Sequence, residues 1–136
     1  MKITADTNIL IRAAVMDDPE QAELAARLLR EAEITAVTLP ALCEFVWVLR
    51  RGYGFTAAEI AEALRRLIDS ATVSVERPPV GAGLALLEAG GDFADGVIVF
   101  EGRRLGGTVF ASFDRKAVAL IAAAGGETHL LGAPAT

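Results

Sequence analysis

The sequence predicts an α/β fold, in which a single-domain parallel β-sheet is sandwiched between α-helices. Short strand-like segments alternate along the chain with longer segments in which apolar residues recur at helical spacing. The strand-like segments are almost continuously apolar, as is typical of parallel strands covered on both faces. No internal repeat or linker interrupts the 136 residues, so we expect one domain over residues 1–136.

Each element is predicted from its own local pattern. Strands are expected at about residues 1–5, 34–37, 73–75, 108–112 and 128–131. Helices are expected at about residues 9–14, 19–29, 40–51, 57–68, 80–89, 95–105 and 116–124. Thr56 and Glu59 form a capping-box pattern, Pro78 and Pro79 indicate a break, and glycines follow most of the helices. The small residues from Gly132 to Thr136 are read as a tail.

Composition excludes several functional classes. One cysteine, Cys43, allows neither an internal disulfide nor a thiolate-rich zinc site, and we expect it to act as a small buried residue. The net charge of -5 argues against an ordinary nucleic-acid-binding module. No apolar run approaches the roughly 20 residues that span a membrane, and no secretory signal is recognisable, so a cytoplasmic location is expected.

Acidic residues follow the predicted strands. Asp6 comes after the first strand and Asp114 after the fourth, while Asp92 and Asp95 precede another helix. In open parallel sheets, chemistry collects at the carboxyl ends of the strands, so we expect these acids at that edge. The alternative for each is a helix N-cap, and Asp92 is the one best suited to capping, with Asp95 facing the site.

Glu44 is a further candidate because it interrupts a helix that is apolar nearly all round. Such a helix is expected to be mostly buried, and a buried carboxylate is costly unless it is paired or binds a metal. The alternatives are pairing with Arg50 or Arg51, or a position along a solvent-exposed edge.

Carboxylates without cysteine or histidine companions suit Mg2+, with Mn2+ as a substitute. Metal ions held in this way support phosphodiester hydrolysis. Thr7, Asn8 and Ser112 are supporting candidates that could orient water, metal or phosphate, with turn and capping roles as the alternative. Basic residues flank the later acids and either hold substrate phosphates or form ordinary surface: Arg103, Arg104, Arg115 and Lys116.

A known family combines these features. The pattern consists of a first strand ending in Asp6-Thr7-Asn8, Glu44 in an apolar helix, Asp92-Phe93-Ala94-Asp95, and Ser112-Phe113-Asp114. This arrangement resembles the PIN domain, and specifically the VapC-type toxins of toxin-antitoxin pairs, over essentially the whole chain.

The resemblance implies a Mg2+-dependent endoribonuclease that forms a homodimer and is inhibited by a small VapB-like antitoxin. Carried over by position, the metal-binding and catalytic acids would be Asp6, Glu44, Asp95 and Asp114, with Asp92 as an accessory. Phe45, Trp47 and Tyr53 would be candidate anchors for the dimer or the antitoxin, with core packing as the alternative for Phe45.

Three other functions remain open on the sequence alone. A receiver-like domain would also bind Mg2+ at strand ends, but it would leave Glu44 without a role. A PIN-like module without catalysis would bind or scaffold. A PIN nuclease of RNA maturation would keep the chemistry in another biological setting.

Overall fold

Seven helices and five strands follow one another along residues 1–132, which are the residues that the computed structural model describes. All strand pairs are parallel, so the predicted α/β class with parallel strands is confirmed. All five predicted strands and all seven predicted helices are present. Of the predicted tail, residues 133–136 lie outside the described part of the chain.

The chain divides into an N-terminal unit, Met1–Arg77, and a C-terminal unit from Pro78 onward. The elements of the N-terminal unit are β1 (Lys2–Thr4), α1 (Thr7–Val15), α2 (Pro19–Glu31), β2 (Ile34–Ala36), α3 (Leu39–Tyr53), α4 (Ala57–Ile68) and β3 (Val73–Ser74). Its three strands form one sheet in the order β1-β2-β3. Thr35 in the central strand pairs with both Ile3 and Val73, so the carboxyl ends of β1 and β2 lie at the same edge.

The N-terminal unit is held by large side chains from its helices. Helix α1 contacts α2 and α3, and α3 contacts α4. The side chains that are less than 2 % exposed there include Leu10, Leu42, Phe45, Leu49, Ile60 and Leu64. Burying each such side chain contributes about 1.5–3 kcal/mol. The core therefore fixes α1 and α3 against each other, and with them the residues at their first turns.

The C-terminal unit contains most of α5 (Arg77–Glu88), followed by α6 (Phe93–Arg104), β4 (Val109–Ser112), α7 (Arg115–Ala123) and β5 (Glu127–Leu130). Strands β4 and β5 pair in parallel from Val109↔Glu127 to Ser112↔Leu130. Glycines let α5 and α6 approach closely: a Cβ built on Gly96 would lie 2.5 Å from the Ala82 carbonyl oxygen, and one on Gly83 would lie 2.6 Å from the Phe93 ring.

The helix ends largely follow the predicted signals. The Thr56 side chain accepts a hydrogen bond from the Glu59 amide, and the Glu59 side chain accepts one from the Thr56 amide, so the predicted capping box is confirmed. These hydrogen bonds hold the pKa of Glu59 below its usual value. Gly54 ends α3 in the left-handed conformation, with φ of 69°.

Several helix boundaries differ from the predicted ones, and two of them are instructive. Pro78 and Pro79 lie inside the first turn of α5, where we expected a break, because a first-turn residue needs no amide donor. Helix α6 begins at Phe93 after the Asp92 cap, two residues before the predicted start at Asp95. Within residues 1–132 no helix is long and apolar enough to cross a membrane.

Candidate active site

Asp6 lies just past the carboxyl end of β1, as predicted, and is exposed. It is the N-cap of α1, and its Oδ1 accepts a hydrogen bond of 2.9 Å from the Thr7 amide. The alternative role of Asp6 as a helix N-cap is therefore confirmed. Capping occupies one lone pair of the carboxylate, which leaves oxygen sites that could bind a ligand.

Glu44 is exposed on α3, so of the readings left open by the sequence it is the exposed edge, and not the buried carboxylate, that the structure shows. Helix α3 buries Leu42, Phe45 and Leu49, while Glu44 and Trp47 lie on its exposed edge. The apolar composition of the helix hid this edge, because Trp47 counts as apolar although its side chain is 64% exposed. The alternative of a solvent-exposed edge holds for Glu44.

Thr7 joins the two acids of the N-terminal unit. It is the first residue of α1 and is only 8% exposed. Its hydroxyl donates a hydrogen bond of 2.9 Å to Glu44 Oε2, while its amide binds Asp6. A hydrogen bond to an ionised acceptor is among the stronger ones, so Thr7 fixes one oxygen of Glu44 beside Asp6. The sequence suggested a polar supporting role for Thr7 but gave no sign of its partner, 37 residues away.

A cavity of about 380 Å³ opens at this place. It is lined by Thr4, Ala5, Asp6, Thr7, Thr38, Pro40, Ala41 and Glu44. A larger cavity of about 410 Å³ is lined by residues of α1, α2, α3 and α4 and contains neither Asp6 nor Glu44. Its two carboxylates, Glu59 and Glu62, already bind the Thr56 amide and Arg66, so the smaller cavity is the better candidate for a cation.

The C-terminal unit positions two aspartates as helix caps. Asp92 caps α6, with Oδ1 accepting from the Ala94 amide at 3.1 Å, which confirms its predicted capping role. Asp114 follows β4 and caps α7, accepting from the Ala117 amide at 3.0 Å. Ser112 Oγ accepts from the Asp114 amide at 3.0 Å, so this serine shapes the turn that presents Asp114.

Asp95 lies in the first turn of α6 and is half-buried. Burial raises the pKa of its carboxyl above the usual value, and the negative charges of Asp92 and Asp114 raise it further. Among the described residues of this unit, none donates a hydrogen bond to Asp95. A proton or a cation is what would offset the accumulated charge.

The donor atoms of both groups fit a hard metal ion. Asp6 and Glu44 in one unit, and Asp95 with its acidic neighbours in the other, supply only oxygen, which Mg2+ and Mn2+ favour. Across residues 1–132, no three His, Cys, Asp or Glu side chains are gathered as a ready-made metal cluster. The donor chemistry thus suits Mg2+, while the four-carboxylate set predicted from the sequence stays a prediction.

The remaining candidates are on the surface or in the core. Asn8, Arg115 and Lys116 are exposed, and Arg104 is paired with Glu101 at 3.6 Å. Cys43 is only partly buried, so the expectation of a buried cysteine was wrong. Of the three proposed anchors, Phe45 is 1% exposed and belongs to the core, Tyr53 donates to Asp17, and Trp47 is exposed.

Comparison with protein families supplies an independent finding. The family model described as the PIN domain matches residues 3–123. A comparison with curated proteins finds no match. The matched segment contains each of the four candidate acids, from Asp6 to Asp114, and PIN domains are generally nucleases. The match extends over most of the chain, and the protein therefore belongs to the PIN domain family.

Proposed function

We propose that this chain is a metal-dependent endoribonuclease that acts as the VapC-type toxin of a toxin-antitoxin pair. The observation that carries the proposal is the acidic pair Asp6 and Glu44, bridged by Thr7 in a surface cavity of a PIN domain. PIN nucleases act on RNA and typically use a divalent metal. A receiver-like function loses its support, since the family of the chain is a nuclease family.

In this proposal, Asp6, Glu44, Asp95 and Asp114 would hold Mg2+, or Mn2+ in its place. A divalent ion at these carboxylates would supply water activation and compensation of the charge on the phosphoryl group. Thr7 keeps Glu44 oriented through its hydroxyl. Asp92 holds the start of α6, and Ser112 the turn before α7, so that Asp95 and Asp114 are presented from fixed helix ends.

Attraction of RNA needs a local source of positive charge, because the chain carries a net charge of -5. Arg115 and Lys116 are exposed at the start of α7, directly after Asp114. They are suited to contact backbone phosphates, and exposed Asn8 at the start of α1 could add a hydrogen bond. Such contacts weaken as salt increases.

If the chain is a toxin, two protein partners and a cellular location are expected. A VapB-like antitoxin would block the site, a second copy of the chain would form a homodimer, and the enzyme would meet its RNA in the cytoplasm. The cavity of about 410 Å³ lined by α1 to α4, with both apolar and charged residues, has room for an antitoxin side chain or short segment.

The test is cleavage of total cellular RNA by the purified protein, without antitoxin, in Mg2+ or Mn2+. Wild type, Asp6→Asn and Glu44→Gln are compared, and a chelator control is included. Discrete cuts made only by wild type and abolished by chelation are the expected result. Intact RNA with all three proteins, when folding is normal, would point to a PIN-like module that binds without cleaving.

A second assay separates a toxin from a nuclease of RNA maturation. Induced expression of a toxin is expected to arrest growth, and co-expression of the protein encoded beside it is expected to restore growth. Unimpaired growth together with strong cleavage in vitro would favour RNA maturation.

A further inference from the structure

The only tryptophan of the chain is exposed beside the candidate site. Trp47 lies on α3, three residues after Glu44, and its side chain is 64% exposed. Residues three apart are neighbours on a helix surface, so the indole and the carboxylate lie on the same side of α3. Burying the indole would be favourable, because apolar surface would leave water. Tryptophan is enriched at binding interfaces for this reason.

Positive charge follows Trp47 along the same side of the helix. Arg50 and Arg51 come three and four residues later, and both are exposed. Neither forms an ion pair or a side-chain hydrogen bond with any residue from 1 to 132. We call Glu44, Trp47, Arg50 and Arg51 the α3 strip. It runs about 10 Å along the helix axis, from a carboxylate through an aromatic ring to two guanidinium groups.

We infer that the α3 strip positions single-stranded RNA, with one base stacked on Trp47 and the adjoining phosphates held by Arg50 and Arg51. This inference rests on the proposed ribonuclease function and adds the residue that selects an unpaired base. An aromatic ring accepts any base by stacking, whereas bases inside a duplex are already stacked. Trp47 is thereby a binding residue that holds the strand next to Glu44 and takes no part in the chemical step.

A second copy of the chain fits this surface less well. Among the described residues, Trp47 is the one large exposed apolar side chain on α3, and its neighbours on the strip are charged. A stable interface buries about 800 Å² on each partner and is depleted of charge at its centre. One ring surrounded by charges falls short of that, but it is enough for one nucleotide base.

The first experiment measures binding with Ca2+ in place of Mg2+, to slow cleavage. A short fluorescein-labelled oligouridylate is compared with the same strand annealed to its complement, using fluorescence anisotropy. We expect Trp47→Leu to weaken single-strand binding roughly tenfold or more, and Trp47→Phe to retain most of the affinity. Leu24→Ala, which alters an exposed apolar residue of α2, is the matched control and is expected to bind like wild type.

A second readout comes from Trp47 itself. Since the chain has one tryptophan, quenching of protein fluorescence by unlabelled oligouridylate reports stacking at this residue. In cleavage assays with Mg2+, Trp47→Leu is expected to raise KM with little change in kcat, as removal of a uniform binding contact does. The double variant Arg50→Gln/Arg51→Gln is expected to reduce the slope of log affinity against log salt concentration by about two, or about one for each phosphate contact that is lost.

The inference is overturned if Trp47→Leu binds the single strand as tightly as wild type, or if saturating RNA leaves the fluorescence unchanged. It is also overturned if Trp47→Leu only converts a dimer to a monomer, measured by light scattering, at unchanged RNA affinity. Cleavage of total RNA by wild type separates the two proposals. Cleavage without quenching removes this inference alone, and quenching without cleavage removes the nuclease function alone.

Discussion

The two units of the chain treat their acidic residues differently. In the N-terminal unit, Thr7 donates hydrogen bonds to both Asp6 and Glu44, so each negative charge has a protein donor. In the C-terminal unit, Asp95 receives no such donor from the described residues, and the charges of Asp92 and Asp114 act against it. The first arrangement is stable as it stands, whereas the second favours a proton or a cation.

Their packing differs as well. The N-terminal unit fills its core with side chains such as Leu10, Phe45 and Leu64. The C-terminal unit brings α5 and α6 together at Gly96, which lies against the backbone of Ala82, and at Gly83, which lies against the Phe93 ring. One unit thus bridges its acids through the Thr7 side chain, whereas the other presents its acids from helix caps and from the first turn of a closely packed helix.

The greatest loss of cleavage is expected for Asp6→Asn, and a comparison with Asp18→Asn distinguishes metal binding from helix capping. Asp6 and Asp18 both cap helices, and asparagine caps about as well as aspartate. Asp6→Asn is expected to lower the cleavage rate by at least roughly 100-fold, because losing a direct ligand should exceed the 10–100-fold typical of outer-shell groups. Asp18→Asn should cleave like wild type. Equal losses in both variants would mean that capping alone explains Asp6.

The next effect concerns the packing of α5 on α6. Gly96→Ala places a Cβ 2.5 Å from the Ala82 carbonyl oxygen, so we expect a loss of about 1–3 kcal/mol or more in the free energy of unfolding. Gly81→Ala, in the facing helix α5 and with open space around the added Cβ, should instead gain up to about 1 kcal/mol. Urea denaturation of both variants measures this difference. Similar unfolding midpoints would contradict the close contact.

A smaller effect tests how Thr7 holds Glu44. Thr7→Val keeps the shape but removes the hydroxyl that binds Glu44 Oε2, and we expect about a tenfold loss of cleavage activity, as for other groups that orient a ligand. Thr7→Ser keeps a hydroxyl and is the control. A double-mutant cycle that combines Thr7→Val with Glu44→Gln should show that their effects on cleavage are not additive. Full activity in Thr7→Val would remove Thr7 from the site.

The smallest effect is the pH dependence that comes from Asp95. Because the pKa of Asp95 is raised in the folded state, the folded chain binds its proton more tightly than the unfolded chain does. The stability contributed by protonated Asp95 is therefore fully present below the pKa of this residue in the unfolded chain, and it is lost as pH rises through its pKa in the folded chain. Asp95→Asn should remove this decline and melt at a slightly higher temperature than wild type at neutral pH.

Added Mg2+ is expected to affect the melting temperatures of wild type and Asp95→Asn differently. It should raise the melting temperature of wild type at neutral pH more than that of Asp95→Asn, since a bound cation offsets the charge near Asp95. Identical pH profiles for the two proteins would show that neither burial nor the charges of Asp92 and Asp114 raise the pKa of Asp95.

Much of the fold was predictable from local signals. Strands were recognised from short apolar runs, and the start of α4 from the Thr56 and Glu59 capping box, because capping needs only neighbouring residues. Pro78 and Pro79 misled the prediction, since proline is as acceptable in a first turn as in a break.

The candidate site was predictable in its residue types but not in its surroundings. Asp6 and Asp114 follow strands, which the chain order reveals. The exposure of Glu44 and Trp47 depends on which side of α3 faces the core, and an almost uniformly apolar helix does not indicate that side. The hydrogen bond from Thr7 to Glu44 joins residues far apart in the chain, so it needs the packing of α1 on α3.

The proposed nuclease binds a divalent metal through four carboxylates and cleaves RNA with it. Calorimetric titration with Mn2+, paired with cleavage of the same samples, measures both steps in Asp6→Asn, Glu44→Gln, Asp95→Asn and Asp114→Asn. We predict that each substitution weakens Mn2+ binding and slows cleavage, and that Asp18→Asn does neither. Mn2+ binding and cleavage equal to wild type in any of the four variants would show that the substituted carboxylate is not a metal ligand.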